Sequence, residues 1–284
     1  MDIKKKFYRL TEKTIGGHGI GNLPIINNLN RKVIEHLKDE YTQVDGKKMF
    51  LDKNDSLLLS INKIYEENET NFVKNLIKKG DIVLDIGANI GYYTLLFAQL
   101  VGNSGKVYSF EPDPRNYQLI EKNIQINNFT NVVLVKKGVS NKSEKATFYL
   151  MKSGAHNTLK KGHSGTIDEI DIDVISLDDY FKILPIIPDF IKMDIEGNEL
   201  NALKGMKNIL KSNKTKIMME VGATKSAKKY LHIDPMDNLK FLGEFDFKFR
   251  DINSNSQIFL NFKEVEKKYQ NRNKMMNFIC VKKP

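Results

Sequence analysis

The chain holds 284 residues, enough for one large domain with a sizeable core, and its 40% hydrophobic and 28% charged residues exclude a disordered or membrane-embedded chain. One cysteine, Cys280, excludes an intramolecular disulfide or a cysteine-rich zinc site, and with no apolar run behind the basic N-terminus a cytoplasmic protein is expected. The net charge of +10 resides in residues 201–284, whose 18 basic and 8 acidic side chains can draw in anionic partners, although lysine- and asparagine-rich coding yields the same excess.

Residues 1–50 read as an N-terminal extension, with three glycines between Ile15 and Asn22 and a weak helical pattern over Leu29 to Leu37. The main domain is expected over 51–284. Phe72 with Leu76 and Val73 with Ile77 predict a helix ending at Gly80. Asp81 to Ile86 is a strand, followed by a glycine turn and a helix to Val101, whose apolar stretch is about half a membrane span. Val107 to Glu111 and Asn131 to Lys136 are the next strands, separated by a helix that Asp113 caps and Pro114 opens. This alternation predicts a parallel sheet with right-handed crossovers.

Lys145 to Leu150 and Ile170 to Ile175 alternate with period two, which predicts an antiparallel hairpin inserted after the third strand, at about 142–180. The long loop between them, Met151 to Thr166, carries His156 and His163. The parallel pattern resumes at Asp189 to Met193. One helix is expected through Leu200, Leu203, Met206 and Leu210, then a strand over Lys216 to Glu220. Leu242 to Phe249 and Met276 to Lys282 are expected as closing strands, which makes about seven in one α/β sheet. Met218-Met219 and Cys280 read as core.

The chemistry gathers in Val83 to Thr94 (VLDIGANIGYYT) and in Glu111, 26 residues after Asp85. A glycine turn between strand and helix lets a ligand approach the backbone, and an acid at the second strand's end suits ribose hydroxyls. The turn lacks the middle glycine of Gly-x-Gly-x-x-Gly, which disfavours a dinucleotide pyrophosphate. Asp85 suits an ammonium group, so S-adenosylmethionine fits better: it has ribose and ammonium but no phosphate. An NAD-dependent oxidoreductase and a non-catalytic binding module remain as rivals.

At these residues the chain resembles the FkbM family of class I, Rossmann-like S-adenosylmethionine-dependent methyltransferases. The matching stretches are GDIVLDIGANIGYYT, VYSFEPDPRNYQLIEKNI, VVLVKKGVSN and FIKMDIEGNELNALKGM, with fainter matches in IYEENETNF and MNFICVKK, together spanning about residues 45–284. The resemblance implies a seven-stranded, mostly parallel, doubly wound sheet and a hydroxyl acceptor on a sugar, glycan or glycosylated metabolite. It places Asp85, Gly87, Ala88, Asn89 and Gly91 at the donor's methionine side, Glu111 with Pro112 at the ribose, and Gly138 and Val139 at the adenine. Asp194 would face the sulfonium, with Glu66 and Thr70 as further donor contacts.

Three acids, Asp194, Glu196 and Glu199, fall within six residues at a strand end. Asp194 and Glu196 are expected to orient donor and acceptor, whereas Glu199 suits a helix start. With Glu220 they offer oxygen ligands of the kind Mg²⁺ takes, though no metal is expected to be needed. His156, on the inserted loop, is the expected base; His18, His36 and His232 have no supporting context. The expected partner is a small-molecule or glycan acceptor, anionic or lipid-linked if the basic C-terminal third recruits it, and no nucleic acid is expected.

Overall fold

The structure, a computed structural model, describes residues 8, 33, 37–151, 157–159, 166–222, 234–269, 272 and 274–282. The described chain opens with a hairpin, β1 (Tyr41–Val44) and β2 (Lys47–Phe50), turned at Asp45 and Gly46, both at positive φ. Helices α1 (Leu59–Asn62) and α2 (Glu67–Leu76) lead into β3 (Ile82–Ile86), α3 (Tyr92–Val101), β4 (Lys106–Phe110), α4 (Pro114–Ile126) and β5 (Val132–Val135). Then come β6 (Gly138–Val139), β7 (Glu144–Met151), β8 (Thr166–Ile175) and the short α5 (Leu177–Tyr180). The chain continues through β9 (Phe190–Met193), α6 (Glu199–Lys204), α7 (Lys207–Leu210), β10 (Lys216–Val221) and α8 (Met236–Gly243). It closes with β11 (Lys248–Asp251), α9 (Phe262–Tyr269) and β12 (Met276–Val281).

The main sheet has seven strands in the order β11-β12-β10-β9-β3-β4-β5, and β12 runs antiparallel to both neighbours. This is the doubly wound, mostly parallel sheet expected from the sequence. Period two sorts its side chains into two cores: Ile217, Met219 and Val221 enter one, Met218 the other. On β12, Phe278 and Cys280 face the first core while Ile279 and Val281 face the second. Strands buried on both faces read as continuous apolar runs, which is why DIVLDI and KIMME look the way they do. Among the described residues no helix is long and apolar enough to cross a membrane.

The hairpin β1–β2 packs into the second core, with Val44 and Met49 beside Val83 and Phe97. Asn123 and Asn127 on α4 hold it by the backbone: Asn123 accepts from Phe50 N at 2.7 Å and Asn127 donates to Lys48 O at 2.7 Å. Residues 41–50 thus share the main domain's core. The weak helix over 29–37 lies almost wholly outside the described residues, as does the Ile15–Asn22 segment.

Four expectations need correction. Helix α2 ends at Leu76, because Ile77 turns extended and Lys78 N donates to Asp81 Oδ2. The single helix over 200–210 is two, broken at Gly205, where a Cβ would stand 2.0 Å from Ser140 O. The strand expected over 242–249 is only β11, since Met236, Leu239 and Leu242 bury a helical stripe at three-residue spacing and Asp246 turns the chain at positive φ. The predicted hairpin, β7–β8, is antiparallel as expected but gains a third strand, because β6 pairs parallel with β8.

Candidate active site

The order of the main sheet reverses at β3, whose neighbours are β4 and β9. In open α/β sheets the crevice beyond the strand ends at such a point is where ligands bind. Gly87 stands there at φ +83, and a Cβ on it would lie 1.9 Å from the carbonyl oxygen of Asp194. Only glycine lets the β3 turn press against the end of β9. Gly87 N and Ala88 N both donate to Phe110 O at 3.1 Å, and Gly91, at φ +91, starts α3 against Ile120.

Glu111, at the end of β4, is 5% exposed. Its Oε2 accepts from Asn89 N at 2.8 Å and its Oε1 from Asp113 N at 2.9 Å. Burial pushes its carboxyl up to about 8, against the lowering effect of those two amides. Asp113 caps α4 by accepting from Arg115 N, as the sequence suggested.

A cleft opens here, lined by Gly87, Asn89, Glu111, Pro112, Gly138, Val139, Asp194 and Glu196. Eight of the expected site residues therefore meet in one concavity. The insertion covers it with Phe148, Asn157 and Leu159. It is pinned at two points: Asn157 Nδ2 donates to Asp113 Oδ2 and Thr158 Oγ1 to Glu196 O, each at 2.8 Å. Asn198 Nδ2 donates to Val139 O at 3.0 Å, tying the loop after β9 to the cleft lining. Glu199 accepts from Gly197 N and Ile195 N, so it braces that loop.

Beneath the cleft runs a buried polar row. Ser109, Asp85 and Lys192 are register partners across β4, β3 and β9. Thr94 donates to Asp85 Oδ2 at 2.6 Å and lies 2.7 Å from Ser109 Oγ, whereas Asp85 Oδ1 is buried with no hydrogen-bond partner. Burial raises the Asp85 carboxyl, opposed by Lys192 and Thr94. For Lys192 burial alone would lower the ammonium, but Asp194, Glu66 and Asp85 outweigh it and hold it above the ordinary lysine value. Its Nζ lies 3.2 Å from Asp194 Oδ2 and 4.8 Å from the Tyr93 ring centroid.

Glu66, Asp194 and Glu220 each bring one carboxylate oxygen within 4.8 Å of the others. They line a smaller pocket with Lys192 and Asn277, and Asp194 belongs to both concavities. Tyr93 donates to Glu66 Oε2 at 2.9 Å. The Glu220 carboxyl is pushed up to about 8 by burial, then by Asp194, Glu196 and Glu66. Of the acids suggested for Mg²⁺, Glu196 is replaced in this cluster by Glu66, and Lys192 already stands as its counter-charge. Three residues of the site hold left-handed backbone without being glycine: Glu66 at φ 44, Asn89 at 53 and Glu196 at 52. Each costs about 1–3 kcal/mol, a strain that clusters at functional sites.

Thr70 is buried and its hydroxyl donates to Tyr65 O, so it sits behind Glu66 and lines neither concavity. Asp85, Ala88 and Gly91 shape the floor and turn without lining the cleft. His156 and His163 lie outside the described residues, as do His18, His36 and His232. Sequence reasoning passed over Lys192, Tyr93, Phe148 and Asn157. A lysine inside the four-residue buried strand FIKM was the available signal, because a buried charge needs a partner.

A doubly wound sheet with one reversed strand, a Gly-x-x-x-Gly turn after β3 and an acid closing β4 defines a class I, Rossmann-like methyltransferase fold. Residues 85–252, more than half of the chain, match the model of the methyltransferase FkbM domain, and the chain belongs to that family. It is similar to the hexuronic acid methyltransferase AglP of Haloferax volcanii, 29% identical over 168 residues that cover 59% of this chain and 63% of that protein. A probable cobalt-precorrin-6B C(15)-methyltransferase (decarboxylating) of Saccharolobus solfataricus is 43% identical over 61 residues, 21% of this chain and 31% of its own. The match spans less than two thirds of either relative's length. Among solved structures, methyltransferase FkbM from Methylobacillus flagellatus is 16% identical, with a TM-score of 0.44 over 98% of this chain and 71% of that one.

Proposed function

We propose that this protein transfers the methyl group of S-adenosylmethionine to a hydroxyl of a sugar, glycan or glycosylated metabolite. The observation that carries the reading is the cleft itself, in which the Gly87 turn, Glu111 and the Gly138–Val139 wall converge beside Asp194. The residues fit the donor: Asp85 Oδ1 is a buried acceptor still without a partner, and no side chain at position 87 competes for the turn. When bound, S-adenosylmethionine supplies an electrophilic methyl group on a sulfonium. Glu111 would accept the ribose hydroxyls, Gly138 and Val139 would lie against the adenine, and the 87–91 turn, with the Asp85 charge buried beneath it, would hold the methionine end. Asp194 would stand beside the sulfonium, while Phe148 and Leu159 of the insertion exclude water.

The sugar assignment draws on the Haloferax relative, whose name gives a hexuronic acid as what that protein methylates. Such an acid offers hydroxyls and a carboxylate. The pocket next to Asp194 holds Glu66 and Glu220, which would repel a carboxylate and accept a neutral hydroxyl. That hydroxyl must lose its proton as the bond forms. Glu220, with its carboxyl near 8, is suited to take it, and His156 on the insertion is the other candidate. Titration calorimetry with S-adenosylhomocysteine and with NAD⁺ tests the donor. Transfer of labelled methyl to uronic-acid and neutral glycans then tests the acceptor, a base-stable ether marking a hydroxyl. Affinity for NAD⁺ alone would reject the reading, and donor binding without turnover on any acceptor would leave a binding module.

A further inference from the structure

We propose that the edge of the sheet opposite the cleft docks on an anionic bilayer surface. Strands β3, β4, β9 and β10 are parallel, so all four begin at this edge, with the cleft beyond their other ends. The loop entering β9 carries Ile183, Leu184 and Ile187 at 96%, 68% and 49% exposure, although strands and helices around it bury nearly all of their large apolar side chains. Pro185 and Pro188 stiffen that loop. Asp189 anchors it to both neighbouring strands: its backbone nitrogen donates to Ile82 O at 2.8 Å, and its carbonyl accepts from Lys216 N at 3.0 Å. Thr215 Oγ1 donates to Pro188 O at 2.8 Å.

The same anchors gather lysines about the loop. Lys78 and Lys79 precede β3, Lys106 starts β4, and Lys211, Lys214 and Lys216 lead into β10. With Lys182 in the loop, seven lysines stand in the segments that enter these strands, where the acids are Asp81 and Asp189; Asp178 and Asp179 precede the loop on α5, the first accepting from Asn208 N and the second from Ser143 Oγ. Asp81 and Asp189 are engaged as well: Asp81 accepts from Lys78 N, and Asp189 accepts from Ile82 N and pairs with Lys214 at 3.0 Å. An apolar tip at a sheet edge whose strand entries carry lysines is an arrangement an interface rewards, because apolar side chains enter the acyl boundary while lysines reach the phosphates. An anionic bilayer is the occupant that matches both halves at once. Docking this way leaves the cleft facing the aqueous side.

The test is flotation of the full chain with vesicles of phosphatidylcholine alone or with one third phosphatidylglycerol. Binding is expected only to the anionic vesicles and should fall steeply with added salt. Ile183→Ser, Leu184→Ser and Ile187→Ser combined should weaken it on the order of tenfold or more, with an unchanged melting temperature because these side chains are exposed. Lys211→Glu with Lys216→Glu should act likewise. No binding to anionic vesicles, or binding that the serine variant retains, would overturn the proposal. So would a sedimentation-measured dimer that the serine variant dissociates, since the face would then belong to a second copy.

Discussion

Gly87→Ala is the sharpest perturbation of the site. The alanine would keep the left-handed φ of +83, at about 1–2 kcal/mol, and would put its Cβ 1.9 Å from Asp194 O. Real Cβ atoms do not approach within 3.0 Å, so the β3 turn and the end of β9 must part by roughly 1 Å. Relief of such overpacking adds about 1–3 kcal/mol, for a total of about 2–5 kcal/mol. At roughly 2–4 °C per kcal/mol, melting should fall by about 4–20 °C. Gly46→Ala is the control, since Gly46 has φ +76 with nothing within 4 Å of its Cβ and bears only the conformational cost. Thermal denaturation and calorimetry with S-adenosylhomocysteine would compare the two. Gly87→Ala should also bind the donor product at least tenfold more weakly, because the separation widens the cleft between Asn89 and Asp194. Equal melting of the two variants, with wild-type affinity in both, would refute the reasoning.

Glu111→Ala should weaken donor binding by about 1.5–3 kcal/mol when measured above pH 8, where the carboxylate is charged, the worth of hydrogen bonds to a charged group; calorimetry reads this, and an unchanged dissociation constant would remove Glu111 from the ribose. The Glu111 and Glu220 carboxyls stand near 8 in the fold against about 4.5 unfolded, so the folded chain binds more protons between those values. Their contribution to stability is therefore full at low pH and declines as pH rises from about 4.5 to 8; Glu220→Gln should flatten that decline in melting temperature, and a slope identical to wild type would contradict the shift. Glu220→Gln and His156→Ala divide the base role: the responsible residue should lower turnover about 10²–10⁴-fold with donor binding nearly intact, and the other should not. Lys192→Met should leave Asp194, Glu66 and Asp85 without their counter-charge, costing about 3–5 kcal/mol in chemical denaturation; a loss under 1 kcal/mol would mean the row is not held by that ammonium.

The fold was legible wherever burial on two faces left apolar runs bounded by turn residues. DIVLDI, VYSF and KIMME are such runs, and the period-two stretches around Phe148 and Ile172 announced a hairpin with one covered face. In the strand expected over 242–249, Phe245, Phe247 and Phe249 alternate as they would in a strand. There Phe247 and Phe249 are buried, one at the end of a turn and one within β11, while the helical stripe of Met236, Leu239 and Leu242 decides the segment before them. The only local signal for the break at Gly205 is the glycine itself. The break follows from how closely the backbone of Ser140, far away in sequence, approaches.

The two halves of the site differ in legibility for a related reason. The proposed donor side is built from backbone: a turn, two amides on Glu111 and a glycine against a carbonyl, and backbone geometry leaves marks in local sequence as glycines and a strand-end acid. The proposed acceptor side is built from side chains contributed by separate elements: Glu66 before α2, Lys192 inside β9 and Glu220 near the end of β10 meet only once β9 lies between β3 and β10. No spacing within the chain encodes that meeting. What the sequence does hold is an imbalance, a lysine in a fully buried strand, and the fold resolves it by placing three carboxylates around that ammonium, Asp194, Glu66 and Asp85. Burial first, and then the negative charge of Asp194, Glu196 and Glu66, which Lys192 only partly offsets, raises the proton affinity of Glu220, and this is what makes it a candidate base.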